Sequence, residues 1–394
     1  MAWSNISYVP AIWIVSNFPP PVHGVAAFNA ALIDELARRG IDHRTFPIGT
    51  RGELRDVARP GVSKTLMDAA AVLRIGAALT RARVTGVMPP TIYFTPCQGG
   101  AGVLRDLAIA CTASALGGRL VAHIHGCAWL ACWQRGGWQA RAMQAALGAC
   151  DRVLCLGPRF AARLSTATGL RCIGINNGVA ASRRAVDDLA APRPGTRIEL
   201  LFLSNLYRAK GLWIAAGATR ALARRGLAVR LRCAGAWLFD HERADFLVEF
   251  AAELAAGTIE LTGFADELAK ARLFASSHFF VLPIPGDVEG QPLALLEAMA
   301  HGVVPITTTA GGMVDLFPDG SADLASSEHV DPERVAHRIA VLSRDPEAYA
   351  RAARQVLAHQ RAALTMTRCT DHVLQMLLTS CEQRGWRTSQ VAPE

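Results

Sequence analysis

Two glutamates eight residues apart, Glu289 and Glu297, bracket the segment Glu289-Gly-Gln-Pro-Leu-Ala-Leu-Leu-Glu297. Carboxylates at this spacing can accept hydrogen bonds from sugar or ribose hydroxyls. The apolar run His278-Phe-Phe-Val-Leu-Pro-Ile284 precedes them and predicts a buried strand. Ala298-Met-Ala-His-Gly302 follows and predicts a helix stopped by glycine. The first carboxylate then belongs to a strand-to-helix loop, and the second to the helix which that loop opens. Pro292 suits the first turn, because its missing N–H would be an orphan there. The free amides beside it, with the helix dipole, favour a phosphate. A phosphate cradle flanked by two carboxylates suits a nucleotide-sugar. The bland alternative is two solvated charges on a helix face.

Only three lysines occur, Lys64, Lys210 and Lys270. Lys210 follows the apolar run Ile198–Leu203 and opens a helix with Gly211, so its ammonium can neutralise a leaving diphosphate. An ordinary solvated lysine is the alternative. Gly24 follows the first apolar run, where a glycine lets backbone approach a ligand or merely turns the chain. Gly311 and Gly312 raise the same pair of readings. His123 and His125 alternate on a strand and share one face. With Cys127 and Cys132 they invite a zinc reading, but the paired ligand spacing of a structural zinc site is missing. His123 is read as a core histidine. Trp129, Trp133 and Trp138 are interleaved with Arg135 and Arg141, which fits either core packing or contact with an anionic membrane.

These residues need a frame. Strand-like and helix-like runs alternate from Ala11 to Ile175, with strands over Ala11–Asn17, Thr91–Pro96, Arg119–His125, Asp151–Gly157 and Arg171–Ile175. Helices are expected over Val25–Gly40, Gly102–Leu116, Ala140–Ala149 and Phe160–Thr168. Asp187-Asp-Leu-Ala-Ala-Pro-Arg-Pro-Gly195 reads as a linker. The alternation then resumes, with strands over Ile198–Leu203, Leu227–Ala234, Ile259–Leu261, Phe279–Leu282 and Val303–Thr308. Helices are expected over Leu212–Arg225, Arg243–Ala256, Asp266–Ala275 and Pro292–Ala300. Pro332–Arg384 predicts helix alone. The pattern implies two α/β halves, each a parallel sheet covered on both faces.

Composition narrows the class. A chain of 394 residues is too long for one ordinary core. The net charge is +8, but the basic residues are dispersed, which argues against a nucleic-acid tail. Ten cysteines without a C-x-x-C pair, and no export signal, fit a reducing cytoplasm. The apolar stretch Val103–Trp133 is broken by charges and glycines and reads as buried rather than membrane-spanning.

Four ordered segments are similar to the retaining glycosyltransferases of family 4: Ser16-Asn-Phe-Pro-Pro-Pro-Val-His-Gly-Val25, His123-Ile-His-Gly126, Phe202-Leu-Ser-Asn-Leu-Tyr-Arg-Ala-Lys-Gly211, and the two-glutamate segment continued by Pro305-Ile-Thr-Thr-Thr-Ala-Gly-Gly312. The resemblance implies the GT-B fold, two facing Rossmann-like domains with an interdomain cleft and C-terminal helices crossing back. The expected divisions are an acceptor-binding domain over 1–190, a nucleotide-sugar domain over 196–365, and a helix over 366–394 returning to the first domain. It implies catalytic roles for Glu289, His125 and Lys210. Donor contacts are implied for Gly24, Asn205, Arg208, Lys210, Gln291, Pro292, Leu293 and Glu297. The family arginine five positions before the lysine is replaced by Asn205, and Arg208 is the candidate substitute. No Asp-x-Asp triplet occurs, so no metal is expected, nor any cofactor. The implied partners are a nucleotide-diphosphate sugar, UDP- or GDP-linked, and a glycan or polyprenyl-linked acceptor of bacterial polysaccharide synthesis. The expected place is cytoplasmic, peripheral to an anionic membrane. An epimerase, a phosphorylase or a silent partner subunit of the same architecture stays open.

Overall fold

The short runs of Ile, Val, Leu and Phe form strands that all pair in parallel, as continuous apolar runs buried on both faces should. The computed structural model describes residues 10–20, 24–48, 62–182, 196–286, 289–317 and 330–379, with the backbone alone for 62–64. The linker Asp187–Gly195, Pro21–His23 of the glycine loop and the tail beyond 379 lie outside the described residues.

In the first lobe, β1 (Ile12–Ser16), β2 (His43–Pro47), β3 (Thr91–Phe94), β4 (Arg119–Ile124), β5 (Arg152–Leu156) and β6 (Cys172–Ile175) lie in the order β2-β1-β3-β4-β5-β6. The connecting helices are α1 (Gly24–Arg38), α2 (Val62–Val84), α3 (Gly102–Ala115), α4 (Ala128–Gln134), α5 (Gly137–Gly148) and α6 (Pro158–Thr168). The second lobe holds β7 (Ile198–Leu203), β8 (Val229–Ala234), β9 (Ile259–Gly263), β10 (Phe279–Leu282) and β11 (Val304–Thr307), in the order β11-β10-β7-β8-β9. Its helices are α7 (Leu212–Arg224), α8 (Asp240–Glu249), α9 (Ala251–Ala255), α10 (Glu267–Ala275) and α11 (Leu293–Ala300). Three helices close the described chain: α12 (Pro332–Arg344), α13 (Pro346–Ala363) and α14 (Met366–Leu378).

The halves are thus two Rossmann-like lobes, and the last helix returns to the first. One face of the first sheet packs α2, α3, α5 and α6; the other packs α1 and α14. Phe28, Leu32 and Leu36 recur every four residues on α1 and are fully buried. Each contributes roughly 1.5–3 kcal/mol of burial. Val373, Leu374 and Leu377 of α14 join the same cluster. The crossing is tight. Val179 and Thr365 form a parallel bridge, with Val179 N–H donating to Leu364 O at 3.1 Å and Met366 N–H to Val179 O at 3.0 Å. Side-chain caps set the last helices: Asp331, Asp345 and Thr365 accept from the amides of Arg334, Ala348 and Arg368.

Four elements depart from the sequence reading. The pattern names none of β2, α2 and α4. Only Phe46 of β2 is buried, so this edge strand lacks an apolar signal. The helix expected over Arg243–Ala256 breaks at Phe250, whose backbone leaves the helical region while its ring packs on Phe246 at 4.8 Å.

Candidate active site

Where the strand order of an open parallel sheet reverses, the loops leaving the carboxyl ends diverge and form a crevice. In the second lobe that point lies between the neighbours β7 and β10. Lys210 leaves β7 and Glu289 leaves β10, one from each side. Lys210 ends a 3₁₀ turn, Arg208–Lys210, followed by Gly211 at φ +83°. A side chain at Gly211 would put its Cβ 2.2 Å from the Pro283 carbonyl, so only glycine lets this turn press on the end of β10. The contact delivers Lys210 to Glu289, and the Lys210 Nζ and the Glu289 Oε2 form an ion pair, both side chains mostly buried. Burial pulls the Lys210 ammonium down to about 8. The facing carboxylate opposes that pull.

Glu297 sits one helical turn into α11 and is held by Lys270 of α10, Nζ to Oε1 at 2.8 Å; Lys270 also reaches Glu267 at 2.8 Å. Burial raises the Glu297 carboxyl, and Lys270 works against it. Pro292 is the N-cap rather than the first helical residue, and the helix starts at Leu293. A Cβ on Gly24, where α1 begins, would lie 3.9 Å from the Leu293 side chain. The amino ends of α1 and α11 therefore meet across the cleft, each with first-turn amides that lack partners within the helix.

Gln291 directly precedes the N-cap of α11, where the sequence reading has it, but its side chain is spent on structural contacts. Its side chain is buried and reaches the other lobe: Oε1 accepts from Asn177 N–H at 2.6 Å and Nε2 donates to Asn176 Oδ1 at 2.9 Å, while Nε2 also donates to Gly312 O of its own lobe at 3.1 Å. The side chain is a strut between lobes. Asp315 works beside it. Its Oδ2 accepts from Arg159 N–H at 2.9 Å, so the second lobe caps α6 of the first, where Gly157 offers no side-chain cap. Arg208 is likewise engaged elsewhere. Its guanidinium lies over the Trp213 ring, 4.0 Å from the centroid, and its backbone N–H donates to Glu242 at 2.6 Å. Asn205 is half-buried in the β7–α7 loop.

His125 follows β4 at the facing rim. Tyr93 Oη lies 2.9 Å from His123 Nδ1 and 3.3 Å from His125 Nε2, and the two imidazoles are 4.0 Å apart. Burial, with His125 alongside, pushes His123 well below its ordinary value, so it is neutral. His123 is only half satisfied, because its buried Nε2 has no hydrogen-bond partner. The two lobes touch here: a Cβ on Gly290 would lie 2.9 Å from the His125 carbonyl. Gly311 is packed as closely, since its Cβ would fall 1.8 Å from the Glu289 carbonyl. Glycines at 290 and 311 thus let the Glu289 loop seat against the end of β4.

The structure brings together Lys210, Glu289, the backbone of His125 and the starts of α1 and α11. It places Glu297 on α11 with a cation of its own, and turns Gln291 and Arg208 aside. Sequence reasoning missed Lys270, Tyr93 and Asp315; the scarcity of lysine was the one signal that could have paired Lys270 with Glu297. Trp129 is fully buried and stacks on Trp133 at 5.7 Å, so the tryptophan cluster is mainly core, with Trp138 left 54% exposed. Among the described residues, no three His, Cys, Asp or Glu side chains gather as a metal site. None of the described helices is long and apolar enough to cross a membrane.

Comparison with known proteins bears on the family and the fold. Residues 197–359 match the family model of glycosyl transferases group 1. The putative colanic acid biosynthesis glycosyltransferase WcaL of Salmonella typhimurium is 30% identical over 175 residues, 42% of this chain and 42% of its own length. The chain's match therefore spans less than half the length of that relative. In three dimensions, HepE of Anabaena in complex with UDP superposes with a TM-score of 0.67 at 15% identity, over 93% of this chain and 99% of HepE. Sucrose-phosphate synthase of Thermosynechococcus elongatus gives 0.67 at 14% identity, over 93% and 98%. Both likenesses concern the fold. Through residues 197–359, the chain carries a domain of the glycosyl transferases group 1 family, set in the two-lobed GT-B architecture.

Proposed function

We propose that the protein moves a sugar from a nucleotide-diphosphate sugar to an acceptor hydroxyl, with retention at the anomeric carbon. The observation that carries this reading is the Lys210–Glu289 pair at the β7/β10 crevice, beside the meeting amino ends of α1 and α11. The second lobe holds the donor and the first holds the acceptor. On donor binding, the diphosphate takes the place of the carboxylate as partner of Lys210. Glu289 is then released to accept from the sugar hydroxyls and to lend negative potential to an oxocarbenium-like centre. Charge builds on the departing diphosphate as the bond from its oxygen to the anomeric carbon breaks. Lys210 and the first-turn amides meet that charge. The acceptor oxygen attacks from the same face, and its proton goes to a phosphate oxygen of the leaving group. Glu297, kept charged by Lys270, is placed to hold ribose hydroxyls. His125 lines the transferred sugar, and Tyr93 orients its ring.

UDP is the first nucleotide to test, since HepE was crystallised with it. A GDP-sugar is the second candidate. The match to WcaL supports an acceptor in polysaccharide synthesis, a glycan or a polyprenyl-linked sugar. The test is a thermal-shift panel of UDP, GDP and ADP with their common sugars, followed by incubation of the stabilising donor with and without a polyprenyl-linked acceptor. A ligand present at about a hundred times its Kd stabilises the fold by about 2.7 kcal/mol, enough to see. The reading requires one diphosphate to stabilise the protein and product to form only with acceptor. Sugar turnover without acceptor would make the protein an epimerase instead.

A further inference from the structure

Behind the rim of the cleft, Tyr93 of β3 joins two histidines, His123 inside β4 and His125 just past its end, into one hydrogen-bonded chain. We infer that Tyr93 and His123 fix the proton of His125 on Nδ1, so that this side chain meets a substrate only as a hydrogen-bond donor and takes no proton from the acceptor. The part His125 plays toward a substrate rests on the transferase reading; the place of its proton does not.

The sheet builds the chain. Tyr93 lies opposite Val121 in the β3–β4 register, so His123, two residues on, shares its face. Tyr93 Oη then sits between the two rings, 2.9 Å from His123 Nδ1 and 3.3 Å from His125 Nε2. Phe28 of α1 closes the group, with its ring 5.4 Å from one imidazole and 5.3 Å from the other. Tyr93 and His123 are fully buried, and Cys369 of α14 belongs to the same apolar cluster as Tyr93.

The protons can then be counted. Burial, with Cys369 alongside, holds the Tyr93 phenol well above its ordinary value, so its single proton stays. His123 is neutral and carries one proton. A hydroxyl has one proton to give, so at least one of the two rings must donate to Tyr93. Donation by both rings would strand the buried Tyr93 O–H, which bonds nothing else. Donation by Tyr93 to His123 would put the His123 proton on Nε2, which is buried and has no hydrogen-bond partner. A buried N–H without an acceptor is a rarer defect than a lone pair without a donor. His123 therefore donates from Nδ1 to Tyr93, and Tyr93 donates to Nε2 of His125. To accept, that nitrogen must be bare, which leaves the His125 proton on Nδ1. A second proton on His125 would have to reverse the whole chain.

The arrangement decides what His125 can do. Its one lone pair is taken by Tyr93, so it has none for the proton of an attacking hydroxyl. A phosphate oxygen of the leaving group is left to take that proton. Its Nδ1–H can face only an acceptor atom, and a hydroxyl oxygen of the transferred sugar is one. Tyr93 and His123 meet no reacting atom and are positioning residues.

The test is nitrogen-15 NMR of the full chain labelled at histidine, at pH 7, with signals assigned by their loss in His123→Gln and His125→Gln. In the wild type both histidines should show a protonated Nδ1 and a bare Nε2. Tyr93→Phe removes only the hydroxyl and should free His125 to exchange between tautomers. Its kcat for sugar transfer should fall roughly two- to tenfold, the worth of one neutral hydrogen bond, with the Kd for the nucleotide diphosphate unchanged because that ligand lacks the sugar. The spectrum needs no substrate, so it decides the place of the proton even where no donor is turned over. A wild-type His125 protonated on Nε2, or on both nitrogens, would overturn the inference. So would a Tyr93→Phe protein that melts earlier but keeps the His125 tautomer, since Tyr93 would then be packing alone.

Discussion

A buried ammonium facing a carboxylate at a crevice is a charge waiting for a better partner. Lys210 ionises near 8 because it is buried, so the protonated form is lost as pH rises through that value. If Lys210 meets the donor diphosphate, kcat/KM should fall with a limb near pH 8, steepening to about tenfold per pH unit. Lys210→Arg should move the limb out of range even if it slows the reaction. A flat profile to pH 9.5 in the wild type would remove Lys210 from that role. Glu289 has the complementary task. Glu289→Ala should abolish transfer while leaving the Kd for the free nucleotide diphosphate within a few fold, read by calorimetry. Retained turnover would take Glu289 out of the mechanism.

The turn before α7 and the loop before α11 owe their shapes to glycine. Gly211→Ala should be costly on two counts, the positive φ and the Pro283 carbonyl beneath it. The left-handed conformation alone costs about 1–2 kcal/mol in a non-glycine residue. Urea unfolding should show at least that loss, and an unchanged midpoint would mean the turn has another way to seat. These elements also show what a sequence can and cannot disclose. Strands such as Ile198–Leu203 and Phe279–Leu282 were plain because burial on both faces demands an unbroken apolar run. β2 was invisible because an edge strand needs only Phe46 inside. α2 was obscure because apolar residues on opposite sides erase the period that marks an amphipathic helix. In the site, Lys210 and Glu289 were legible from their places after strands. The fate of Gln291 was not, since Asn176 and Asn177 lie more than a hundred positions away along the chain and only the folded cleft brings them together.

At the scale of the whole molecule, Gln291 and Asp315 fasten one lobe to the other. Asp315 supplies the missing cap of α6, and a lost cap costs about 0.5–2 kcal/mol. Asp315→Ala should therefore quicken hydrogen exchange at the Arg159 amide by roughly tenfold, while amides in β8, inside the second lobe, keep their rates. Equal protection at Arg159 in both proteins would show that this contact carries no weight. The same variant should widen the particle in solution scattering if the fastening restrains the cleft.

The helix Met366–Leu378 has a consequence for synthesis. It seals the face of β1, β3, β4 and β5 that Ile12, Tyr93, Val121 and Leu154 leave apolar. That face is translated well before its cover. On the ribosome the amino-terminal lobe must wait, greasy side open, until Met366–Leu378 has emerged, and a fragment ending at 182 would never receive its seal.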